Sequence, residues 1–194
     1  MDEKKGGSSI WIPTVLLEAE LRREQGLQRR RRRFCITACV ILTLSVMFSF
    51  MTWLSLLRIS GGSMAPTLRH GEIVAAIRRD TYGPGDLIGV YVGQRIYVKR
   101  VIALGGQSVD IAADGTVFVD GEELSEPYIT EKSIGNCNVD LPCFVPDGQF
   151  FILGDHRATS VDSRYAPVGC IAEEEVIGKI VFRLWPLHRL GPIK

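Results

Sequence analysis

Ser63 and Lys99 are the residues of this chain whose types and settings could do covalent chemistry. Ser63 stands in Gly61-Gly62-Ser63-Met64-Ala65-Pro66-Thr67-Leu68, and Lys99 in Tyr97-Val98-Lys99-Arg100-Val101-Ile102. A serine hydroxyl is a weak nucleophile until a base takes its proton. An amine can be that base only when neutral, and an ordinary lysine, with a pKa near ~10.4, is almost wholly protonated at neutral pH. Burial disfavours the ammonium and lowers this value; a drop of about 3 units corresponds to roughly 4 kcal/mol. Ile96, Val98, Val101 and Ile102 supply an apolar setting, and strand alternation puts Tyr97, Lys99 and Val101 on one face. The chemistry in view is attack by a serine with lysine as its base. A solvent-exposed lysine on an edge strand is the plain alternative. Of the three histidines, His70, His156 and His188, only His156 adjoins a carboxylate, Asp155. On the residues alone a Ser-His-Asp arrangement therefore stays open.

The elements that must position these groups begin with an appendage. A chain of 194 residues is expected to hold one domain and little more. The net charge of +1, from 23 basic and 22 acidic residues, gives no bias toward nucleic acid. The charges are uneven, however: Arg29 to Arg33 is an unbroken arginine run, with Arg22 and Arg23 before it. From Phe34 to Leu57 there is no Asp, Glu, Lys, Arg or His. That run of about 24 residues exceeds the ~20 needed to span a bilayer as a helix. Its hydroxyls can bond back to helix carbonyls, and Trp53 lies near one end, where an indole favours the headgroup region. A cleaved leader would sit closer to the N-terminus and end in small residues, and Trp53-Leu54-Ser55-Leu56-Leu57 offers no such site. The expected division is a cytoplasmic segment over 1–33, a single transmembrane helix over 34–57 and an extracytoplasmic domain over 58–194, because arginine and lysine gather on the cytoplasmic side. Thr14 to Gln28, after Pro13, reads as a short polar helix.

Beyond residue 60 no long stretch has the 3.6-residue helical period. Strands are expected over Glu72–Ile77, Leu87–Val92, Arg95–Leu104, Ser108–Ala112, Thr116–Val119, Gln149–Leu153 and Val176–Trp185. Asp114-Gly115 and Asp120-Gly121 are turn signals between apolar runs. The fold class expected is mainly β, an antiparallel coiled-sheet or barrel-like domain behind one transmembrane helix. Cys35 and Cys39 fall in the apolar run, and Cys137, Cys143 and Cys170 beyond it. A disulfide joining Cys137 to Cys143 across Asn138-Val139-Asp140-Leu141-Pro142 is the expected pairing in an oxidising compartment, which leaves Cys170 odd, buried and inert. No cysteine–histidine spacing suits zinc, and no metal or cofactor is expected.

Three segments resemble the boxes of bacterial type I signal peptidases, the serine/lysine proteases also called leader peptidases. Gly62-Ser63-Met64-Ala65-Pro66-Thr67-Leu68 is similar to the family's S-M-x-P-T-L box, and Tyr97-Val98-Lys99-Arg100-Val101 to its Y-x-K-R box. Gly154-Asp155-His156-Arg157-Ala158-Thr159-Ser160-Val161-Asp162-Ser163-Arg164 is similar to its G-D-N-x-x-x-S-x-D-S-R box, and Gly85-Asp86-Leu87-Ile88 to a shorter G-D-I/V segment. The resemblance runs from about residue 34 to 185. It implies Ser63 as nucleophile, Lys99 as general base, Ser160 orienting the amine, and Asp162 and Arg164 pairing to hold their loop. It implies an oxyanion site at Ser63 and Gly61, and a substrate cleft at Ile59, Met64, Leu68, Tyr97 and Val98. The implied activity is removal of signal peptides from exported preproteins after small residues (Ala-x-Ala) at the bacterial plasma membrane, with preproteins, the bilayer and the secretion translocon as partners and no nucleic acid. A related protease dedicated to a pilin-like or conjugation substrate, and a non-catalytic peptide-binding β-domain, are the alternatives. The chain departs from the pattern at three places: Gly61 stands where some members carry an oxyanion-donating serine, Ala103-Leu104-Gly105-Gly106-Gln107 replaces a Gly-x-Pro-Gly-Asp turn, and His156 replaces an asparagine.

Overall fold

The computed structural model describes residues 14–193, for 14–27 and 49–52 the backbone alone. Residues 1–13 of the expected cytoplasmic segment lie outside the described residues. The chain divides into two units, Met1–Phe50 and Met51–Lys194.

One helix, α1 (Thr14–Trp53), joins the expected polar helix to the apolar run without a break. Within it the Thr37 and Thr43 hydroxyls donate to the carbonyls of Phe34 and Val40, three residues back. This bonding hides the hydroxyls from their surroundings. The described apolar side chains stay exposed, from Phe34 (73%) to Phe48 (72%). Among the described residues, no helix is long and apolar enough to cross a membrane. The expected span to Leu57 is also too long at its far end. Leu54–Arg58 forms a strand, β1, paired antiparallel from Leu54↔Ile77 to Arg58↔Ile73. Leu57 enters the core of the β unit, so its apolarity serves a sheet and not a helix.

The β unit is built from β2 (Ile73–Ile77), β3 (Leu87–Val92), β4 (Arg95–Leu104), β5 (Ser108–Ile111), β6 (Val117–Val119), β7 (Glu122–Glu123), β8 (Cys143–Phe144), β9 (Gln149–Leu153), β10 (Ile171–Ala172), β11 (Val176–Trp185) and β12 (Gly191–Pro192). One sheet runs β1-β2-β11-β3-β4-β9-β10, with β12 beside β11; a second runs β7-β6-β5-β8. All pairings are antiparallel. Neither sheet closes on itself, so the barrel-like expectation is corrected to two open sheets. Register shifts in β11 and β4 bend the larger sheet, as bulges do.

Gly89 shows what that curvature needs. A Cβ there would lie 2.7 Å from Leu57 Cδ1, so its absence lets β1 fold over β3 although the two are not sheet neighbours. Leu57, Ile59, Met64, Leu68, Val74 and Leu87 form the core beneath this fold-over. Ile88, Val90, Val101 and Ile152 form a second cluster, and Val109, Phe151 and Leu153 a third.

All five cysteines are free thiols. Cys143 sits on β8 opposite Val109 and packs with Cys170 against the third cluster, which Cys137 does not join. Strand pairing, not loop length, brings Cys143 and Cys170 to one cluster.

Candidate active site

Ser63 belongs to the loop between β1 and β2. The loop is pinched at its base, where the Ile59 N–H donates to Glu72 O and the Gly71 N–H to Ile59 O, at 2.8 and 2.9 Å. Within it the Leu68 N–H donates to Met64 O at 2.8 Å, and both side chains are buried. Two apolar anchors thus hold a turn whose serine stays half-exposed. Glu72, buried at the loop's end, accepts from Arg183 on β11 and from Arg189, and Arg183 also donates to Thr67 O. Neutralised by two guanidiniums, the carboxylate can remain charged out of water.

Lys99 comes from the middle of β4, opposite Ile88 of β3. It is 1% exposed. Its Nζ lies 2.9 Å from Ser63 Oγ and donates to Ser160 Oγ at 2.9 Å. The Tyr97 ring, on the same strand face, is 5.8 Å away. Burial lowers the Lys99 pKa from 10.5 to about 8; Asp162 and Asp155 pull it up and Arg164 pushes it down. Desolvation wins because the carboxylates are already neutralised: Arg164 pairs with both oxygens of Asp162, and Arg100 with both of Asp155.

The segment 154–164 is locked to the rest of the site by these pairs. The Gly154 N–H donates to Asp162 Oδ2 at 3.0 Å, and Arg164 donates to the carbonyls of Ile134 and Arg157, each at 2.8 Å. The His156 N–H donates to Ser63 O at 3.0 Å, while the His156 ring faces the Thr159 hydroxyl. A Cβ on Gly154 would lie 2.1 Å from Ser160 Oγ and 2.6 Å from Ser63 O. Only a glycine lets the two serines come this close.

A cleft of about 540 Å³ opens beside Ser63 between β1 and β4, walled by Ile59, Ser60, Met64, Ile96, Tyr97 and Val98 with Arg58 and Arg95 at its rim. Leu68 does not line it. At 0% exposure it is a core residue, turned away by the bend that presents Ser63. Among the described residues the Ser63 N–H has no acceptor, whereas the Gly61 N–H donates to His70 Nδ1 at 3.0 Å. Gly61 has no side-chain donor and its amide is engaged, so the expected Gly61 contribution to an oxyanion site is withdrawn. His188 lies in a turn after Pro186, and no histidine contacts Ser63 through its ring among the described hydrogen bonds.

Sequence reasoning missed the network Arg100–Asp155–Thr67, in which Thr67 Oγ1 donates to Asp155 Oδ2 and Arg100 stacks 3.8 Å from the Tyr128 ring. The signal available was the charged pair Lys99-Arg100 within an apolar strand. A second buried charge there must find a partner. It also missed Ser60, Arg58 and Arg95 at the cleft, which no spacing rule singles out.

Comparison with known proteins shows the family of the chain. The family model described as signal peptidase, peptidase S26, matches residues 32–185. A probable signal peptidase I-1 of Synechocystis is 37% identical over 151 residues, covering 70% of this chain and 73% of the relative. Signal peptidase I of Bacillus amyloliquefaciens is 32% identical over 149 residues, covering 70% and 76%. A crystal structure of a signal peptidase I from Enterococcus faecalis is 27% identical with a TM-score of 0.42, covering 52% of this chain and 97% of that one. With a family match across most of its length and relatives above 30% identity, this chain belongs to the signal peptidase family, peptidase S26, and is a serine endopeptidase of the signal peptidase I type.

Proposed function

We propose that the chain is a membrane-anchored endopeptidase that removes signal peptides from exported preproteins, with Ser63 as nucleophile and Lys99 as general base. The observation that carries this reading is the 2.9 Å approach of a buried, pKa-lowered Lys99 amine to Ser63 Oγ. In its neutral form the amine accepts the Ser63 proton as Oγ attacks the scissile carbonyl. The ammonium so formed gives that proton to the departing amine, and the free amine then activates the water that releases the acyl group. Ser160 fixes the amine's direction by accepting one of its N–H groups. The unengaged Ser63 N–H is available to the oxyanion. Asp162 and Arg164 hold the Ser160 segment in place.

Substrate geometry follows from strand edges. Among the described residues β1 pairs only with β2, and β4 meets β9 only from Arg100 onward, so Arg95–Val98 has one free side there. An extended peptide fits between these edges as an added strand. Ile59, Met64, Tyr97 and Val98 would line shallow apolar pockets that admit a methyl group, which suits Ala-x-Ala.

Anchoring is supported by the uncharged run of α1 after Arg29–Arg33. Its described large apolar side chains, from Phe34 to Phe48, are all exposed, and its Thr37 and Thr43 hydroxyls bond back to the helix, which suits a lipid surrounding. The arginine run supports a cytoplasmic 1–33 and a β unit across the plasma membrane, where preproteins leave the translocon.

The test is incubation of the full chain in detergent with a preprotein whose signal peptide ends in Ala-x-Ala, with product masses read directly. One cut after the last alanine is expected, absent in Ser63→Ala and Lys99→Met. Unchanged cleavage by either variant sinks the mechanism.

A further inference from the structure

The β unit carries three cysteines, and the fold sorts them. Cys143 lies on β8, held opposite Val109 by the pairing of β8 with β5. Cys170 immediately precedes β10, which pairs with β9 from Ile171↔Phe150. Although far apart in sequence, both side chains pack against the cluster of Val109, Phe151 and Leu153, and Cys143 is near enough to Cys170 to disfavour its thiolate. Cys137 has no place in that cluster. Its neighbour Asn138 donates its N–H to Arg164 O, at 3.0 Å, and accepts from the Ala166 N–H.

We propose that Cys143 and Cys170 are a disulfide-forming pair whose bond ties down the segment that carries Ser160. The chain between them contains β9, Gly154, Ser160, Asp162 and Arg164, so one covalent bond would close a loop around half of the site. The pair is coupled to the site through β9: its Leu153 packs in the same cluster as the two thiols and leads directly into Gly154.

The oxidant required is an external disulfide, such as a small disulfide or a thiol-oxidising protein, and an extracytoplasmic domain meets both. The Cys143 thiolate, its proton released to water, attacks one sulfur of that disulfide and expels the other as a thiolate. This gives a mixed disulfide. Cys170 then loses its proton and attacks Cys143 Sγ, expelling the second external thiolate. Two electrons pass from the pair to the oxidant, and two protons leave. Burial first, then the neighbouring Cys143, pushes the Cys170 thiol up to about 12, so Cys170 suits the second, intramolecular step, where the sulfur it attacks is held beside it. A cross-link limits the unfolded chain and so favours the folded one.

The reading does not depend on the peptidase mechanism, and the Ser63→Ala protein should form the same bond. The full chain in detergent is exposed to oxidised glutathione, alkylated without reduction, digested and weighed. Expected is a Cys143–Cys170 linked peptide lighter by two hydrogens than its reduced halves, with Cys137 alkylated. The oxidised protein should need more denaturant to unfold than the reduced one. Cys143→Ser should abolish that gap and Cys137→Ser should keep it. A Cys137–Cys143 linkage, three alkylated thiols after oxidation, or a gap that survives Cys143→Ser would each overturn the proposal; the comparison of oxidised with reduced wild type needs no variant to fold.

Discussion

Replacing Lys99 with methionine should make the fold more stable at neutral pH while removing activity, and the size of the gain can be worked from the structure. Burial lowers the Lys99 pKa from 10.5 to about 8, so at pH 7 the folded state must hold a charge in a site that disfavours it. The shift of roughly 2.5 units corresponds to about 3 kcal/mol at ~1.36 kcal/mol per unit. Below the folded pKa the amine is protonated in both states and the penalty is complete. Between the two values the unfolded state binds more protons, so stability rises with pH. Above 10.5 the amine is neutral in both states and the penalty is gone. Methionine carries no charge and escapes the penalty, but it gives up the hydrogen bonds to Ser63 and Ser160, about 1 kcal/mol each. Those losses and any repacking are the same at both pH values. The quantity to measure is therefore the change, between about pH 7 and about pH 10.5, in the stability difference between variant and wild type. Denaturant unfolding followed by tryptophan fluorescence should show the advantage of Lys99→Met shrinking by about 3 kcal/mol over that interval. A difference independent of pH would mean that Lys99 is not desolvated in the folded chain, and the argument for its basicity would fall with it.

The same value sets the pH–rate profile: because the working form is the neutral amine, kcat/KM on a preprotein should rise about 50-fold from about pH 6 to about pH 8 and then level off, and a flat profile would point to another base. Ser160→Ala should lower kcat/KM about tenfold, the worth of a hydrogen bond of ~1.4 kcal/mol, chiefly in kcat, with Ser160→Thr recovering much of it; a variant that changes KM alone would contradict an orienting role. Gly154→Ala should cost about 100-fold or more in rate, since the added carbon would meet Ser160 and Ser63 O and small displacements of reacting groups are that costly. Wild-type activity in this variant would show that the two serines need not approach as closely as they do.

Much of the β unit was readable in the sequence because its strands alternate and its turns carry glycine. Leu87–Val92, Arg95–Leu104, Gln149–Leu153 and Val176–Trp185 occupy the expected spans. The short strands β7, β8, β10 and β12 were not, since two residues carry no period. Leu54–Arg58 was misassigned for a different reason. Its apolar residues continue an uncharged helical run, and nothing local says that the next surface they meet is β2 and not lipid. Leu68 was assigned to the cleft by its place in a motif, but a turn sends neighbouring side chains in opposite directions. Loop length, which suggested pairing Cys137 with Cys143, is a local property, and the meeting of β5 with β8 that brings Cys143 to the cluster shared with Cys170 is not.

What the sequence determined by itself is the chemical inventory: a serine among glycines, a lysine among β-branched residues, an arginine run before an uncharged stretch, and the boxes that carry the family resemblance. These depend on residue type and order, which the chain states directly. Only the tertiary structure decided that Lys99 loses nearly all contact with water, that Asp155 and Asp162 are neutralised by Arg100 and Arg164, and that Gly154 lets Ser160 and Ser63 converge on one amine. A pKa is set by what surrounds a group. Those surroundings are assembled from β4, the β1–β2 loop and the segment after β9, segments that are distant in sequence and meet only in the folded chain.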